Sequence, residues 1–454
     1  MLPLAAILLA VAAVYARTPD QASKFPVPPE VAARYSCGES CQVVLNKTSA
    51  EDLAEFDTPF DFDFYQTAAN FSGSKPGDIL KLAPVDPKIM NIPAGIAVYK
   101  IQYTSTDLDN STVPATGYIA FPYARQSTPF KLIAYAHGTT GVFRGCAPST
   151  SSTLTDYNSW SPMLLAGYAV VGTDYAGLGN NYTSHKYISS RANANDVYWS
   201  AVAAKKAFPR DISKQWVSIG HSQGGGASWK LSEHELVQSR NSGYLGGISI
   251  APLTYLYDAL IDGFTKLQGA SSDEIKDFGI TSYVPSMYFA LRAVFNNYTA
   301  PFLSKTMMDR IELGEKAQLC GHALSGLTRD LDTSELIDNI DLSSIAPIKK
   351  FQELNAPAQG VKSSKPLLVI QGANDSTVFP DVTEKAYNNS CKVGNPVRLS
   401  IYPGLDHSAV VGASAPEWLT FIDKLFRGQG LCHCSKQILV PVDVEHARKP
   451  LDTE

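Results

Sequence analysis

The chain has 454 residues, of which 44% are apolar and 18% are charged. This balance is typical of a globular protein and excludes a largely disordered one, which would carry fewer apolar and more charged residues. The formal net charge of −5 gives no reason to expect nucleic acid as a partner. The length allows one large α/β domain with an insertion, or several smaller domains.

The N-terminus has the features of a secretory signal peptide. Residues 2–14 are apolar and rich in alanine and leucine, and Val14-Tyr15-Ala16 places small residues where signal peptidase cleaves. We therefore expect a signal peptide over residues 1–16. An N-terminal membrane anchor is the alternative, but this apolar stretch is too short to span a bilayer, and no later stretch is long enough. The sequence predicts a secreted, extracellular protein with no membrane span.

Glycosylation sequons agree with secretion. The tripeptide Asn-x-Ser/Thr, in which the asparagine accepts the glycan, recurs along the chain, and we expect several copies to be unused. The copy at Asn374 adjoins a predicted active-site residue and is set aside. The predicted acceptors are Asn46, Asn70, Asn110, Asn181, Asn297 and Asn388.

Seven cysteines in a secreted chain predict disulfides. The odd number leaves at least one cysteine unpaired, and sequence alone does not fix the pairing. A Cys/His metal site at Cys432-His433-Cys434 is the competing interpretation. It lacks a second ligand pair at zinc spacing, so we expect no metal.

The first part of the chain predicts an N-terminal arm followed by antiparallel strands. Residues 17–75 are rich in turn-forming residues and are expected to wrap on the core. Residues 77–85, 95–104 and 117–122 predict strands, the first two by their alternating polar and apolar pattern. A turn segment at residues 108–114 predicts a hairpin between the last two of them.

The pattern then changes to buried strands that alternate with helices. Near-continuous apolar runs suit parallel strands covered on both faces. Such runs are residues 131–136 and 168–173, and further strands are predicted at residues 216–220, 247–251, 365–371 and 396–402. Helices are predicted at residues 158–166, 192–208, 227–239, 380–389 and 415–427. This alternation predicts an α/β fold with a mostly parallel, doubly wound central sheet.

One interval interrupts the alternation. Residues 252–352 have a mostly helical, amphipathic pattern and fall between two core strands, where a helical lid or cap would be inserted. A second structural domain without a catalytic role is the alternative. The predicted organisation is therefore a core over residues 76–251 and 353–430 around this insertion, with a C-terminal tail over residues 431–454.

A Gly-x-Ser-x-Gly pentad at residues 220–224 is the strongest functional motif. It follows an apolar strand and precedes a helix-forming segment, which is the context of a nucleophile elbow. Flanking glycines remove the Cβ atoms that would clash in such a sharp turn. The hydroxyl of Ser222 would then stand clear of the sheet, at a helix N-terminus that favours negative charge. The sequence predicts that Ser222 is a nucleophile.

A serine nucleophile needs a base and an acid that orients the base, and in this kind of fold both follow it in the chain. Asp375 lies in a glycine-led loop after the strand at 365–371, although it could serve only as a turn former. His407 follows the next strand, 32 residues later. Asp406 is the weaker candidate for the acid. The other downstream histidines, which fall in the insertion or the tail, are His322, His433 and His446.

The oxyanion of the reaction needs backbone N–H donors. One is expected from Gln223, next to the nucleophile. The other is expected from Thr139 or Gly138, in the loop after the strand at 131–136. His137 either orients this loop or only fills space.

A second loop follows another core strand. Asp174 and Tyr175 are expected to line the substrate site or to hold a loop by hydrogen bonds. Asp174 as the triad acid would break the expected chain order.

Four motifs together carry a family resemblance. They are Cys146-Ala147-Pro148-Ser149, the elbow at 220–224, Asp375-Ser376-Thr377-Val378 with Pro380 after it, and Tyr402-Pro403 before His407. By these motifs the chain resembles the fungal secretory lipase family, the lipase A-type α/β-hydrolases, over roughly residues 75–432.

This resemblance implies an α/β-hydrolase core, a helical lid inserted before the acid, and a triad of Ser222, Asp375 and His407. It also implies disulfides Cys146–Cys320 and Cys391–Cys432. Cys37–Cys41 is then a short local possibility, and Cys434 is left free.

The expected function is a secreted serine carboxylic-ester hydrolase, a lipase or esterase, that forms an acyl-enzyme and needs no cofactor. The substrate would be a small-molecule or lipid ester, in the latter case at a lipid–water interface. The lipase A type has an acidic pair where this chain has His137–Thr140, and Gly-x-Ser-Gly-Gly where this chain has Gln223. These departures leave a short-chain esterase or an acyltransferase as alternatives, with a serine peptidase or a non-catalytic binding protein behind them.

Overall fold

The computed structural model describes residues 21–267, 279–338, 342–443 and 445–447. The predicted signal peptide at residues 1–16 lies outside the described residues, as does the end of the predicted tail. Within the described part of the chain, no helix is long and apolar enough to cross a membrane.

A single ten-stranded sheet forms the centre of the molecule. Its spatial order is β1-β2-β3-β5-β4-β6-β7-β8-β9-β10. The strands are β1 (Ile79–Pro84), β2 (Ala97–Thr106), β3 (Thr112–Phe121), β4 (Phe130–Ala136), β5 (Ala169–Thr173), β6 (Ile212–His221), β7 (Tyr244–Ile250), β8 (Leu367–Gly372), β9 (Val397–Tyr402) and β10 (Ser435–Ile438). Strands β1 to β3 are antiparallel, and β3 is antiparallel to β5. All pairs from β5 to β10 are parallel, so the predicted mostly parallel sheet is confirmed.

Helices cover both faces of this sheet, which explains the continuous apolar runs. The side chains of β4 alternate between two apolar clusters. Leu132 packs with the helices Ser190–Ala207 and Gln223–Glu233 on one face. Ile133 packs with the helix Ala415–Phe426 on the other. A strand buried on both faces has no position at which a polar side chain could reach water.

Sixteen α-helices lie within the described residues. They are Pro29–Ala32, Glu39–Glu55, Phe62–Tyr65, Ser161–Leu165, Ser190–Ala207, Gln223–Glu233, Glu235–Gln238, Leu256–Leu267, Val284–Val294, Lys305–Ala317, Gly321–Gly326, Thr333–Leu336, Leu342–Asn355, Pro380–Lys392, Ala409–Ala413 and Ala415–Phe426.

The N-terminal arm is more ordered than its turn-rich sequence predicts. It contains the 17-residue helix Glu39–Glu55, which packs against the short helix Gly321–Gly326 of the insertion. The buried carboxylate of Asp52 caps that short helix by accepting from the N–H groups of His322 at 3.0 Å and Ala323 at 2.9 Å. The arm is therefore attached to the insertion as well as to the core.

The insertion is helical, as its pattern predicts, and its apolar core continues into the sheet. Buried side chains of its helices share one cluster with Val369 of β8 and Leu399 of β9. They also pack against Val382 on the helix Pro380–Lys392. This continuity supports an insertion that caps the sheet.

Three disulfides are present: Cys37–Cys41, Cys146–Cys320 and Cys391–Cys434. The first two agree with the pairs that the resemblance suggests. The predicted pair Cys391–Cys432 is wrong, as is the prediction that Cys434 is free. Instead, Cys432 is the exposed free thiol of the described chain.

The tail explains this difference in pairing. Strand β10 begins at Ser435, opposite Arg398 of β9. Cys434, directly before the strand, is thereby held beside the core, where Cys391 ends its helix. Because Cys434 is oxidised, the metal-site alternative at residues 432–434 is also wrong. The apolar strip at 438–442 leaves the sheet after Ile438, and its last valines are exposed.

Candidate active site

The nucleophile elbow is present where the pentad predicts it. Strand β6 ends at His221, and the helix Gln223–Glu233 begins directly after Ser222. Ser222 has φ 56° and ψ −117°, a left-handed conformation that is strained for a residue with a side chain. Its backbone N–H donates to Ile250 O at 2.9 Å, and its carbonyl accepts from Leu253 N at 3.1 Å. These bonds hold the turn against the end of β7.

The two glycines of the pentad are needed for space. A Cβ on Gly220 would lie 2.2 Å from Gly224 O, inside the turn itself. A Cβ on Gly224 would lie 1.9 Å from Ala136 O, the carbonyl at the end of β4. The elbow therefore touches the backbone that leads into the predicted oxyanion loop.

The predicted acid Asp375 lies in the turn after β8 and is fully hydrogen-bonded. Its Oδ1 accepts from the N–H groups of Thr377 at 2.9 Å and Val378 at 2.8 Å. Its Oδ2 accepts from Gln371 Nε2 at 3.0 Å and from His407 Nδ1 at 2.8 Å. Burial alone would raise the pKa of Asp375, but the charge and hydrogen bond of His407, with the two backbone bonds, hold that pKa below its ordinary value. The carboxylate is therefore ionised at neutral pH.

The predicted base His407 is oriented by this carboxylate. Because Nδ1 donates its proton to Asp375, the neutral ring leaves Nε2 as the basic nitrogen. Asp406, the weaker candidate for the acid, accepts instead from the backbone N–H groups of Ser408 at 3.0 Å and Ala409 at 2.8 Å. Its role is to hold the turn that follows.

The elbow and the His407 loop are in direct contact. His221, the residue before Ser222, has Nε2 2.9 Å from the backbone carbonyl oxygen of His407. The two imidazole rings have centroids 4.6 Å apart. Chain segments that are far apart in sequence therefore bring Ser222, His407 and Asp375 to one end of the parallel strands.

The predicted oxyanion loop is fixed on the side of the insertion. Its Thr140 carbonyl accepts from Gly321 N at 2.9 Å, and Gly141 forms an isolated β-bridge with Cys320. The disulfide Cys146–Cys320 joins the same two segments covalently. The loop thus depends on the insertion for its position.

The loop is also fixed on the side of the core, by contacts of Thr139, Gly138 and His137. Thr139 Oγ1 lies 2.7 Å from Tyr187 Oη. His137 Nδ1 lies 2.6 Å from Gly138 O, and its Nε2 lies 3.2 Å from Asp174 O. Burial lowers the pKa of His137 to about 4, so the neutral ring donates one N–H to one carbonyl at a time. These bonds favour the prediction that His137 orients the loop.

Asp174 and Tyr175 make contacts of the loop-holding kind. The buried Asp174 carboxylate accepts from Ser149 N at 2.9 Å, from Ser149 Oγ at 2.5 Å and from Thr116 Oγ1 at 2.7 Å. Tyr175 has φ 66° and donates its hydroxyl to His137 O at 3.0 Å. Both residues stabilise the loops around the site. Asp174 accepts its hydrogen bonds from Ser149 and Thr116 and not from His407.

Gln223 is the other predicted oxyanion donor and occupies the first position of the elbow helix. Its side chain belongs to a buried polar group that the sequence did not indicate. Its Nε2 lies 3.0 Å from His185 Nε2 and 3.2 Å from Asn193 Oδ1. His185 in turn has Nδ1 3.1 Å from Ala176 O. Burial lowers the pKa of His185 to about 3, so it is neutral, with Nδ1 as the donor and Nε2 as the acceptor. This bonding fixes the Gln223 side chain within the buried polar group, so only its backbone N–H is considered as the oxyanion donor.

A small apolar pocket lies inside the insertion, beside the acid loop. Gly279 marks the proximity, since a Cβ there would lie 2.4 Å from Thr377 Oγ1, two residues after Asp375. The lining residues include Leu256, Leu260, Ile280, Met287, Leu291 and Phe302. This lining is mostly apolar.

Comparisons with known proteins bear on the fold. A model of the prolyl oligopeptidase family matches residues 331–429, which contain both Asp375 and His407. Lipase 6 of Candida albicans is 23% identical over 417 residues, which are 85% of this chain and 85% of that protein. Candida antarctica lipase A in its closed state has a TM-score of 0.66 at 18% identity and covers 82% of this chain and 88% of its own. The rice cell wall degrading esterase LipA from Xanthomonas oryzae has a TM-score of 0.61 at 17% identity, covering 78% of this chain and 100% of its own.

The chain has a lipase A-type α/β-hydrolase fold. The resemblance drawn from the sequence is confirmed at this level. The lipase A-type fold, together with its lipase and esterase relatives, supports a hydrolase of the lipase or esterase type.

Proposed function

We propose that the protein is a secreted serine carboxylic-ester hydrolase. The observation that carries the proposal is the 2.8 Å bond between His407 Nδ1 and Asp375 Oδ2, beside an elbow that holds Ser222 at φ 56°. An imidazole that is oriented by a carboxylate, on a loop that contacts a strained serine elbow, is the arrangement that acyl transfer needs.

The reaction follows from the roles of these three side chains. His407 Nε2 takes the proton of the Ser222 hydroxyl as its oxygen attacks the ester carbonyl, and Asp375 stabilises the imidazolium that forms. The backbone N–H groups of Gln223 and of Thr139 or Gly138 stabilise the negative oxygen of the tetrahedral intermediate. The imidazolium gives its proton to the departing alcohol. Water, deprotonated by His407, then cleaves the acyl-enzyme, and Ser222 regains its proton.

The substrate class follows from the apolar pocket. Its hydrocarbon lining suits the acyl chain of an acylglycerol or of another apolar ester. On this proposal residues 252–352 act as a lid, inserted between core segments at 76–251 and 353–430. A short-chain esterase or an acyltransferase on the same site is the alternative within this class.

A serine peptidase is the second candidate, because the match at residues 331–429 is to a peptidase family. The lipase and esterase relatives extend over most of the chain, which favours the ester hydrolase. Turnover of amide substrates at rates comparable to esters would reverse this order.

Secretion is supported by three disulfides and by the positions of the sequons. All six predicted acceptor asparagines are exposed, which is the condition for carrying a glycan. They are Asn46, Asn70, Asn110, Asn181, Asn297 and Asn388.

The test is a chain-length series of p-nitrophenyl esters, measured with and without an emulsion. We expect Ser222→Ala to abolish hydrolysis without changing the unfolding temperature, and full activity of this variant would overturn the assignment. Long-chain preference with activation by the emulsion would identify a lipase. Peak activity on acetyl or butyryl esters without interfacial activation would identify a short-chain esterase.

A further inference from the structure

His221 occupies the variable position before the nucleophile and touches three parts of the site. It ends strand β6 and is 6% exposed, and Ser222 follows it directly. Its Nε2 lies 2.9 Å from the backbone carbonyl oxygen of His407, and its Nδ1 lies 3.0 Å from Tyr157 Oη. A Cβ on Gly138, in the predicted oxyanion loop, would lie 3.4 Å from the same Nδ1. One buried ring thus joins the elbow, the base and the oxyanion loop.

These bonds fix a single tautomer of His221. A carbonyl oxygen can only accept, so Nε2 must carry the proton that is donated to His407 O. Nδ1 is then the acceptor and receives the hydroxyl proton of Tyr157. Tyr157 Oη in turn accepts from Tyr135 Oη at 3.3 Å. The resulting chain of donors runs in one direction, from Tyr135 through Tyr157 and His221 to His407.

The ring is also held uncharged. Burial, and after it the charge of His407, lower the pKa of His221 to about 3. This matters because the ring centroids of His221 and His407 are only 4.6 Å apart. A charged His221 would repel the imidazolium that His407 must become, whereas the neutral ring does not.

We propose that His221 is a positioning residue, which anchors the backbone of His407 while Asp375 anchors its ring, and so sets the base against Ser222. The inference rests on the proposed ester hydrolysis. The ring of His407 is bonded to Asp375, and its backbone carbonyl is bonded to His221. Together the two hydrogen bonds restrict rotation of the side chain and displacement of the backbone. His221 makes no bond to the reacting atoms in this arrangement, so its effect should fall on kcat and leave KM unchanged.

The test compares four variants by steady-state kinetics on a p-nitrophenyl ester and by the rate of fluorophosphonate labelling. His221→Leu removes both bonds, and we expect kcat to fall by roughly tenfold to a hundredfold, since displacements of the order of 1 Å have costs of that size. His221→Gln places an amide donor where Nε2 was, and we expect it to recover most of the loss. Tyr157→Phe leaves His221 in place but removes the hydroxyl that fixes its tautomer. We expect a loss of kcat between those of the other two variants.

The control is His234→Leu. His234 also has both ring nitrogens bonded, to Asn195 Oδ1 at 3.1 Å and to Leu236 N at 3.2 Å, but it lies past the far end of the elbow helix. We expect its kcat and labelling rate to match those of the wild type. Thermal unfolding identifies any variant that fails to fold, and His221→Gln and Tyr157→Phe decide the question if His221→Leu is such a variant.

Each result has a distinct meaning. Loss in His221→Leu with recovery in His221→Gln at constant KM supports the proposal. Three outcomes overturn it: an equal loss of kcat in both variants, a change in KM without a change in kcat, or wild-type kcat in His221→Leu. If the wild type neither hydrolyses esters nor reacts with the fluorophosphonate, the proposed function fails instead, and this can be recognised before any variant is made.

Discussion

Gly224 of the elbow lies against the backbone at the end of β4, so the effect of a larger residue there on activity can be estimated from distances. In Gly224→Ala the new methyl group would lie 1.9 Å from Ala136 O and 2.6 Å from His137 O, whereas ordinary contact begins at 3.4 Å. The nearer pair must therefore separate by 3.4 − 1.9, about 1.5 Å. Both obstructing atoms belong to the backbone, so no side chain can rotate out of the way.

This displacement should reach the reacting atoms on both sides. Moving the elbow helix shifts Ser222 and the N–H of Gln223, and moving β4 shifts the loop that carries Thr139. Catalytic geometry that is wrong by 1 Å can cost about a hundredfold in rate, which corresponds to about 2.7 kcal/mol in activation free energy. We expect Gly224→Ala to lower kcat by at least about a hundredfold.

The assay is steady-state hydrolysis of a p-nitrophenyl ester, with thermal unfolding measured in parallel. Gly73→Ala is the matched control, since a Cβ on Gly73 would have no atom within 4 Å, and its activity should equal that of the wild type. Wild-type kcat in a folded Gly224→Ala variant would refute the claim that this close approach positions the site.

Two further changes test the acid and the disulfide. Asp375→Asn should lower kcat by roughly four orders of magnitude, since an amide can no longer fix the tautomer of His407 with a negative charge; a loss below tenfold in the same ester assay would speak against its role. Replacing Cys146 and Cys320 by serine should lower the free energy of unfolding in urea by about 5 kcal/mol, from the chain entropy of the 174-residue separation. Cys432→Ser, at the exposed free thiol, is the control, and equal stability of the two proteins would contradict the estimate.

The sheet and the positions of the candidate site residues could be predicted because each has a local signal. Strands such as β4, β5 and β8 are covered on both faces, so their sequences are mostly apolar. Ser222, Asp375 and His407 each lie just past the end of such a strand, and the chain order of the fold supplied their roles.

The N-terminal helix Glu39–Glu55 was not predicted because its buried face is polar. Cys41, Leu45, Thr48 and Asp52 recur at helical spacing and are buried. A periodicity test looks for apolar residues, and here hydroxyl and carboxylate groups take their place. Asp52 is buried because it caps a helix of the insertion, a contact between segments about 270 residues apart that no local pattern encodes.

The positions that link parts of the site were also invisible in the sequence. His221 occupies a variable position of the pentad, and only the fold brings it to the carbonyl of His407. The pairing of Cys391 with Cys434 depends on strand β10, whose short and mostly polar sequence gives little strand signal. In both cases the deciding contact is made between segments that are distant in the chain.

The central claim is that Ser222 is a nucleophile activated by His407 and Asp375. The most direct measurement is to treat the folded protein with a fluorophosphonate and to locate the adduct by mass spectrometry of its peptides. We expect a single adduct, on Ser222. We expect it to form at least about a hundredfold more slowly in Asp375→Asn than in the wild type. A protein that hydrolyses esters but carries the adduct on another residue, or carries none, would contradict it.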